Sequence, residues 1–303
     1  MSKLIDFNSS PVKDVLPVLL KDRTTGRNII FATDAYLEVS TYFGEKCEIE
    51  IEMLRSGELQ ICPRVEKHFD EQRSRQKAKA EVFTPSWICN QMNNYCDQVF
   101  FQRDNVFNHA QDQTWVINSE QIQFSPQEGW KRYVESTRLE ITCGEAPYLV
   151  SRYDAATGQM IPLESRIGIL DRKLRVVSEN TKTRRSWLNW SKKAFQNVYG
   201  YEFHGDSLLI ARANLLLTFV DYYKACWSVD PDLSDLKEVA QIISWNLWQM
   251  DGLKLTIPYR EPSRTSVQLD LFGYDEQVDS EPSDCVIFDW ANNKTVLFKD
   301  IKR

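Results

Sequence analysis

The chain has 303 residues, with 37 Lys and Arg against 43 Asp and Glu, a formal net charge of -6, and 42% hydrophobic and 26% charged residues. That composition excludes wholesale disorder, and the length suits one large domain or a core with a smaller attachment. Net acidity argues against a protein that coats nucleic acid, though not against local basic faces.

No apolar run approaches the roughly 18 residues of a membrane span, and the start has no signal-peptide core, so the expected address is the cytoplasm. The seven cysteines are scattered without a CxxC pair and only three histidines are present. Neither a disulfide framework nor a structural metal is expected from them.

Residues 1–79 read as a small N-terminal α+β extension. Asn28–Phe31 suggests a short strand, and Glu48–Met53 alternates as a half-buried one. Ser56-Gly57 turns into Leu59–Ile61 as a hairpin, and 66–81 reads as a connecting helix. Residues 80–260 form the expected core. Val82-Phe83-Thr84-Pro85 is extended, because the residue before proline avoids the helical region. Ser86 then caps a helix over Trp87–Phe100.

Short strands are expected at Thr114–Ile117 and Ile122–Phe124. Arg138–Thr142 reads as a strand running into a Cys143-Gly144 turn. Residues 151–180 read as irregular, broken by Asp154, Gly158 and Pro162. Trp187–Val198 is an amphipathic helix, Val198–Phe203 a strand, and Asp206 caps an apolar helix through Tyr223. Leu233–Ile243 is a further helix, followed by a third strand near Asn246–Met250. Residues 261–303 comprise an acidic loop and a closing hairpin, Cys285–Phe288 with Lys294–Phe298 around Asn292-Asn293. From residue 138 the order is the βαβ grammar of an open parallel sheet, whose ligand crevice lies at the strand carboxyl ends.

Candidate chemistry falls on those ends. Gly144 after the first strand lets a ligand approach the backbone. Glu202, ending the second, is placed to accept from a ribose diol. Asp251, ending the third, is placed to accept from an adenine amino group. Each also has a plainer reading: a turn, a surface carboxylate, a cap. His204 reads as a loop histidine. Asp171–Lys193 carries eight cations against two acids. A solvated helix face is the plain reading there; the functional one is a phosphate-contacting surface with Arg172, Lys173, Arg175, Lys182, Arg184 and Arg185 as DNA-binding candidates.

The order Phe83-Thr84-Pro85, then Glu140-Ile-Thr-Cys-Gly144 with Leu149, then Gly200-Tyr201-Glu202 before a Leu208–Leu216 helix, then Asp251 in a turn, resembles the DNA adenine methyltransferases of restriction–modification systems. That likeness covers about residues 80–260. Leu139–Asp154, Arg166–Leu174 and Trp245–Leu253 are similar, more narrowly, to short bacterial proteins labelled restriction endonuclease subunit M.

The resemblance implies an α/β fold: a Rossmann-like methyltransferase sheet with S-adenosylmethionine as cofactor, in a restriction–modification or phage-defence setting with DNA as partner. Phe83, Thr84 and Pro85 would border the cofactor. Glu140, Cys143 and Gly144 would meet its methionine end, Glu202 its ribose and Asp251 its adenine.

Two departures stand beside it. Glu145-Ala146-Pro147 occupies the place of a second small residue, and would narrow or close the pocket. The (N/D/S)PP(Y/F) tetrapeptide, which orients the target amino group and stacks on the flipped base, has no clear counterpart. The nearest is Thr256-Ile257-Pro258-Tyr259, ahead of Asp289–Asn292, with Thr256, Pro258 and Tyr259 as catalytic candidates. Two main readings stay open. One is an S-adenosylmethionine-binding, DNA adenine methyltransferase-like protein. The other is a catalytically inactive subunit of that fold that holds DNA or a partner protein, and a partner subunit could supply target recognition. A methyltransferase for another substrate is the third.

Overall fold

The computed structural model describes residues 3–67, 84–125, 129–261 and 283–301. Among them eight α-helices and three small sheets make a mixed α/β fold. Helix α1 (Val12–Leu19) buries Val12, Val15, Leu16 and Leu19, a one-face spacing. The expected strand at 28–31 is reduced to isolated bridges, Lys21 with Asn28 and Ile30 with Glu48. The strand expected over 48–53 is instead a bridge followed by helix α2 (Ile51–Arg55). The glutamates of that alternation bind backward: Glu48 accepts from the Asn28 amide and Glu50 from the Asn28 side chain. Leu59 and Ile61 are buried without forming a hairpin. The connecting helix expected at 66–81 lies almost wholly outside the described residues.

Helix α3 (Ser86–Phe101) starts from an extended Pro85, and the Ser86 amide donates to Asp154 Oδ2 at 2.7 Å. Strands β1 (Asn108–Gln111) and β2 (Thr114–Ile117) form a hairpin, whereas Ile122–Phe124 pairs with nothing described. After the short helix α4 (Trp130–Val134) comes β3 (Arg138–Glu140). The second half of the stretch expected to be irregular is helix α5 (Ile169–Asn180). Its charged sequence conceals an inward face of Ile169, Leu170, Leu174, Val176 and Val177.

Helix α6 (Arg184–Gln196), strand β4 (Val198–Glu202), helix α7 (Gly205–Trp227), helix α8 (Leu233–Asn246) and strand β5 (Leu247–Gln249) follow, close to their expected places. Strands β6 (Val286–Asp289) and β7 (Lys294–Leu297) form the closing hairpin.

The sheet β3-β4-β5 is parallel, with β4 in the middle. Its register sets Glu140 opposite Gly200 and Glu202 opposite Gln249, so the acidic strand ends share one edge of the sheet. Helix α7 buries 17 of its 23 residues, which makes it the central helix. One sheet face packs into the main core with Leu208, Phe219 and Trp187; the other meets the β6–β7 hairpin through Tyr201, Trp248 and Ile287.

The N-terminal extension is stitched into this core. Gln249 accepts from the Ile30 amide and donates to the Ile30 carbonyl, at 3.0 and 2.8 Å. A Cβ on Gly205 would stand 2.0 Å from the Ile30 carbonyl oxygen, so only glycine permits this approach. Fully buried Arg212 bonds the carbonyls of Leu19, Lys21 and Leu247.

Among the described residues no helix is long and apolar enough to cross a membrane. None of them form a group of three or more His, Cys, Asp or Glu suited to a metal ion.

Candidate functional site

The carboxyl ends of β3 and β4 open on a cavity of about 910 Å³, lined by Thr84, Asn93, Glu140, Cys143, Gly144, Tyr148, Glu202, His204 and Ser207 among others. The loop leaving β3 is tightly wound: Thr142, Gly144 and Ala146 have φ of 46°, 53° and 64°. Left-handed backbone at Thr142 and Ala146 costs energy that the surroundings must offset.

Those surroundings are specific. The Cys143 amide donates to the Tyr201 carbonyl at 2.8 Å and the Ala146 amide to the Cys143 carbonyl at 2.7 Å. Glu202 Oε2 accepts from the Gly144 amide at 2.8 Å, so the end of β4 holds the turn after β3.

Glu202 Oε1 accepts from the His204 amide at 3.0 Å and lies 3.4 Å from His204 Nδ1. An ionised carboxylate offers about four acceptor directions, so Glu202 keeps capacity toward the cavity it lines. Glu140 accepts from the Tyr148 and Leu149 amides at 3.4 and 3.2 Å. Burial pushes its pKa up to about 8; the two amides oppose that rise and the nearby Glu202 adds to it. Glu140 therefore keeps its proton near neutral pH. The Cys143 thiol is also pushed up, by burial first and then by both glutamates, so it is no ready nucleophile.

Glu145 does not block the cavity with its side chain. It turns inward, accepting from the Arg64 amide at 2.7 Å and the Tyr153 hydroxyl at 2.6 Å. Asn214 holds the same turn from α7, donating to the Glu145 carbonyl and the Tyr153 oxygen. Glu145-Ala146-Pro147 does not close the cavity, although Glu145 and Pro147 stand on its wall.

Thr84, Glu140, Cys143, Gly144 and Glu202 thus meet in one cavity, and Pro85 caps α3 at its border. Phe83 lies outside the described residues. Asp251 is a correction: it is not among the lining residues. Its Oδ1 accepts from the Leu253 and Lys254 amides at 2.9 and 3.1 Å, the plain turn-forming use of an aspartate.

The catalytic candidates are corrected too. Thr256 is fully buried and donates to the Arg260 carbonyl at 3.0 Å. Pro258 and Tyr259 line a separate hollow of about 330 Å³ with Arg27, Lys46 and Gln249. The Tyr259 hydroxyl donates to Glu45, and its ring meets Phe203, which walls the main cavity. No proline-proline turn redirects this segment, and the bridges of Thr256 to Asp251 and Asp284 fix it where it is.

The basic stretch is dispersed. Arg172 and Lys173 were DNA-contact candidates; both are fully interior. Arg172 forms an ion pair with Asp97 and bonds Asn90 and Asn94. Lys173 donates to the carbonyls of Val134, Ser136 and Asn197, and burial holds its pKa well below the usual lysine value. Their positions on α5 coincide with its buried face, which a charge count ignores. Arg175 pairs with Glu179 and Arg184 with Asp232, while Lys182 and Arg185 are exposed.

His204, Ser207, Asn93 and Tyr148 are cavity residues that the motif reading did not select. The signal available for His204 and Ser207 was the start of a helix directly after a strand ending in Glu202. No family model, no curated protein and no solved structure matches this chain.

Proposed function

We propose that this chain binds S-adenosylmethionine in the cavity at the ends of β3 and β4, in the manner of a DNA methyltransferase subunit. One observation carries the reading: Glu202 at the end of β4 is tied to the Gly144 amide after β3, beside Glu140 and Thr84 in the same cavity. The cavity's size falls in the range of small-molecule sites, about 300–1,000 Å³.

Glu202 would take the ribose hydroxyls with its spare acceptor capacity. Gly144 would let the cofactor approach the loop backbone. Glu140 holds the Tyr148 and Leu149 amides that form the cavity floor, and as a protonated acid it adds no full charge there. When bound, S-adenosylmethionine supplies an electrophilic methyl group. DNA as the methyl acceptor is supported by the sequence resemblance alone.

The position of Thr256–Tyr259 favours the subunit reading over a self-sufficient enzyme. Pro258 and Tyr259 face another hollow and Thr256 is buried, so the group that orients a target base comes from elsewhere. Calorimetric titration with S-adenosylmethionine tests the proposal. Micromolar binding is expected, weakened about tenfold or more in Glu202→Ala, the scale of one or two hydrogen bonds to a charged group. Absence of binding to the natural chain overturns it. The chain alone is expected to transfer no methyl group to DNA.

A further inference from the structure

Helix α3 is amphipathic in the reverse sense. Its buried positions are Ser86, Cys89, Asn90, Asn93, Asp97 and Phe101, most of them polar. Asn90 exchanges side-chain hydrogen bonds with Asn108 at 2.9 and 2.8 Å. Asn93 donates to the Tyr148 and Ile167 carbonyls, both at 2.9 Å. Asp97 accepts from the Tyr133 hydroxyl at 2.8 Å and pairs with Arg172. These polar bonds fasten the helix to the body of the protein.

The opposite side of α3 carries Met92, Tyr95 and Val99, which are 53%, 64% and 56% exposed. Single apolar residues on a surface are ordinary. These three form a stripe. With half-buried Ile88 they are spaced four, three and four along the chain, the seam spacing of paired helices. Charge is missing from this side as well. Asp97 is the sole charged residue of the 16 in α3, and it is buried.

We propose that two copies of this chain associate through α3, helix against helix, about a two-fold axis near Tyr95. Charge identifies the occupant. Residues flanking the seam of paired helices set partner choice when they are charged. Here those positions are Cys89, Gln91, Cys96 and Gln98. They hold no charge to select a different chain and none to repel an identical one. Each chain carries a formal charge of -6, so two copies repel least where their facing surfaces are neutral, as this one is. A second copy also brings the same stripe, so one contact removes both from water. Tyr95 is the middle residue of the exposed three, and a two-fold axis there sets it against its own counterpart. Tyr95 and Val99 do not line the main cavity, so this inference stands apart from the cofactor reading.

The test is sedimentation velocity of the full chain across a concentration series. A dimer is expected to form at micromolar concentration. Tyr95→Glu and Tyr95→Lys each set like charges across the axis. Each is expected to weaken the dimer about a hundredfold, with an unchanged circular dichroism spectrum because the position is exposed. An equimolar mixture of the two variants is expected to dimerise again, since opposite charges then meet at the axis. Val99→Lys, also exposed, is expected to weaken the dimer in the same way. A natural chain that stays monomeric at tens of micromolar overturns the proposal. So does a dimer that the Tyr95 variants leave intact, or a mixture of the two that remains monomeric.

Discussion

Two groups of buried ionisable side chains in this protein are held in opposite ways. Under α5, Arg172 faces Asp97, Asn90 and Asn94, and Lys173 faces three carbonyl oxygens. Opposite partners surround each charge, and of the Arg172 nitrogens only Nε lacks one. At the ends of β3 and β4, Glu140 and Glu202 are two carboxyl groups on one cavity wall, held by backbone amides and facing no lysine or arginine partner among the described residues. The first arrangement is complete without a ligand. The second leaves acceptor capacity facing open space, and it has the raised carboxylate that marks functional sites. Burial of charge alone does not distinguish scaffold from site; the identity of the partners does.

The sharpest way to break this contrast is Arg172→Met. It strands Asp97 in the interior and is expected to cost about 3–5 kcal/mol in urea unfolding, as for other broken buried pairs. A loss under 1 kcal/mol would remove the distinction. Next is Glu140→Gln. Folded Glu140 binds its proton up to about pH 8, while the unfolded carboxyl releases it near 4.5. Between those values the folded state holds more protons, so the natural chain loses stability as pH rises. The variant is expected to gain on the order of 1–3 kcal/mol over the natural chain at pH 8–9 and nothing at pH 4, read from melts across pH.

Glu202→Gln sharpens the contrast from the ligand side. S-adenosylmethionine binding should fall about tenfold, with a stability change of about 1 kcal/mol or less, because one amide bond to Gly144 can persist. The smallest effect belongs to the exposed cations. Arg185→Glu should stay within about 0.5 kcal/mol in stability. If it changes DNA retention, the salt slope should drop by about one unit.

The centre of the parallel sheet was legible because β4 ends in Glu202 and is followed by a strongly apolar helix; β4 and α7 fall within a few residues of their expected bounds. Helix α5 was not, because Asp171, Arg172 and Lys173 interrupt its inward face of Ile169, Leu170, Leu174, Val176 and Val177. The 48–53 alternation misled for a related reason: its glutamates bind Asn28 rather than water. In the site, Gly144 and Glu202 were legible from strand grammar. Asp251 and Tyr259 were not, since a residue's distance along the chain from a strand end says nothing about which side of Phe203 it reaches.

The bonds between Ile30 and Gln249 also set a timetable for synthesis. Ile30 meets a side chain 219 positions later, Arg23 meets Ser244 and the Val286 amide meets Thr24. At roughly 5–20 residues per second, the emerging N-terminal segment waits on the order of 10–40 s for its partners to leave the ribosome. During that wait Val15, Leu16 and Leu19, fully buried in the finished protein, have neither α7 nor α8 to pack against. Until then the apolar face of α1 lacks its partners within the chain, and slower translation before residue 249 lengthens that interval.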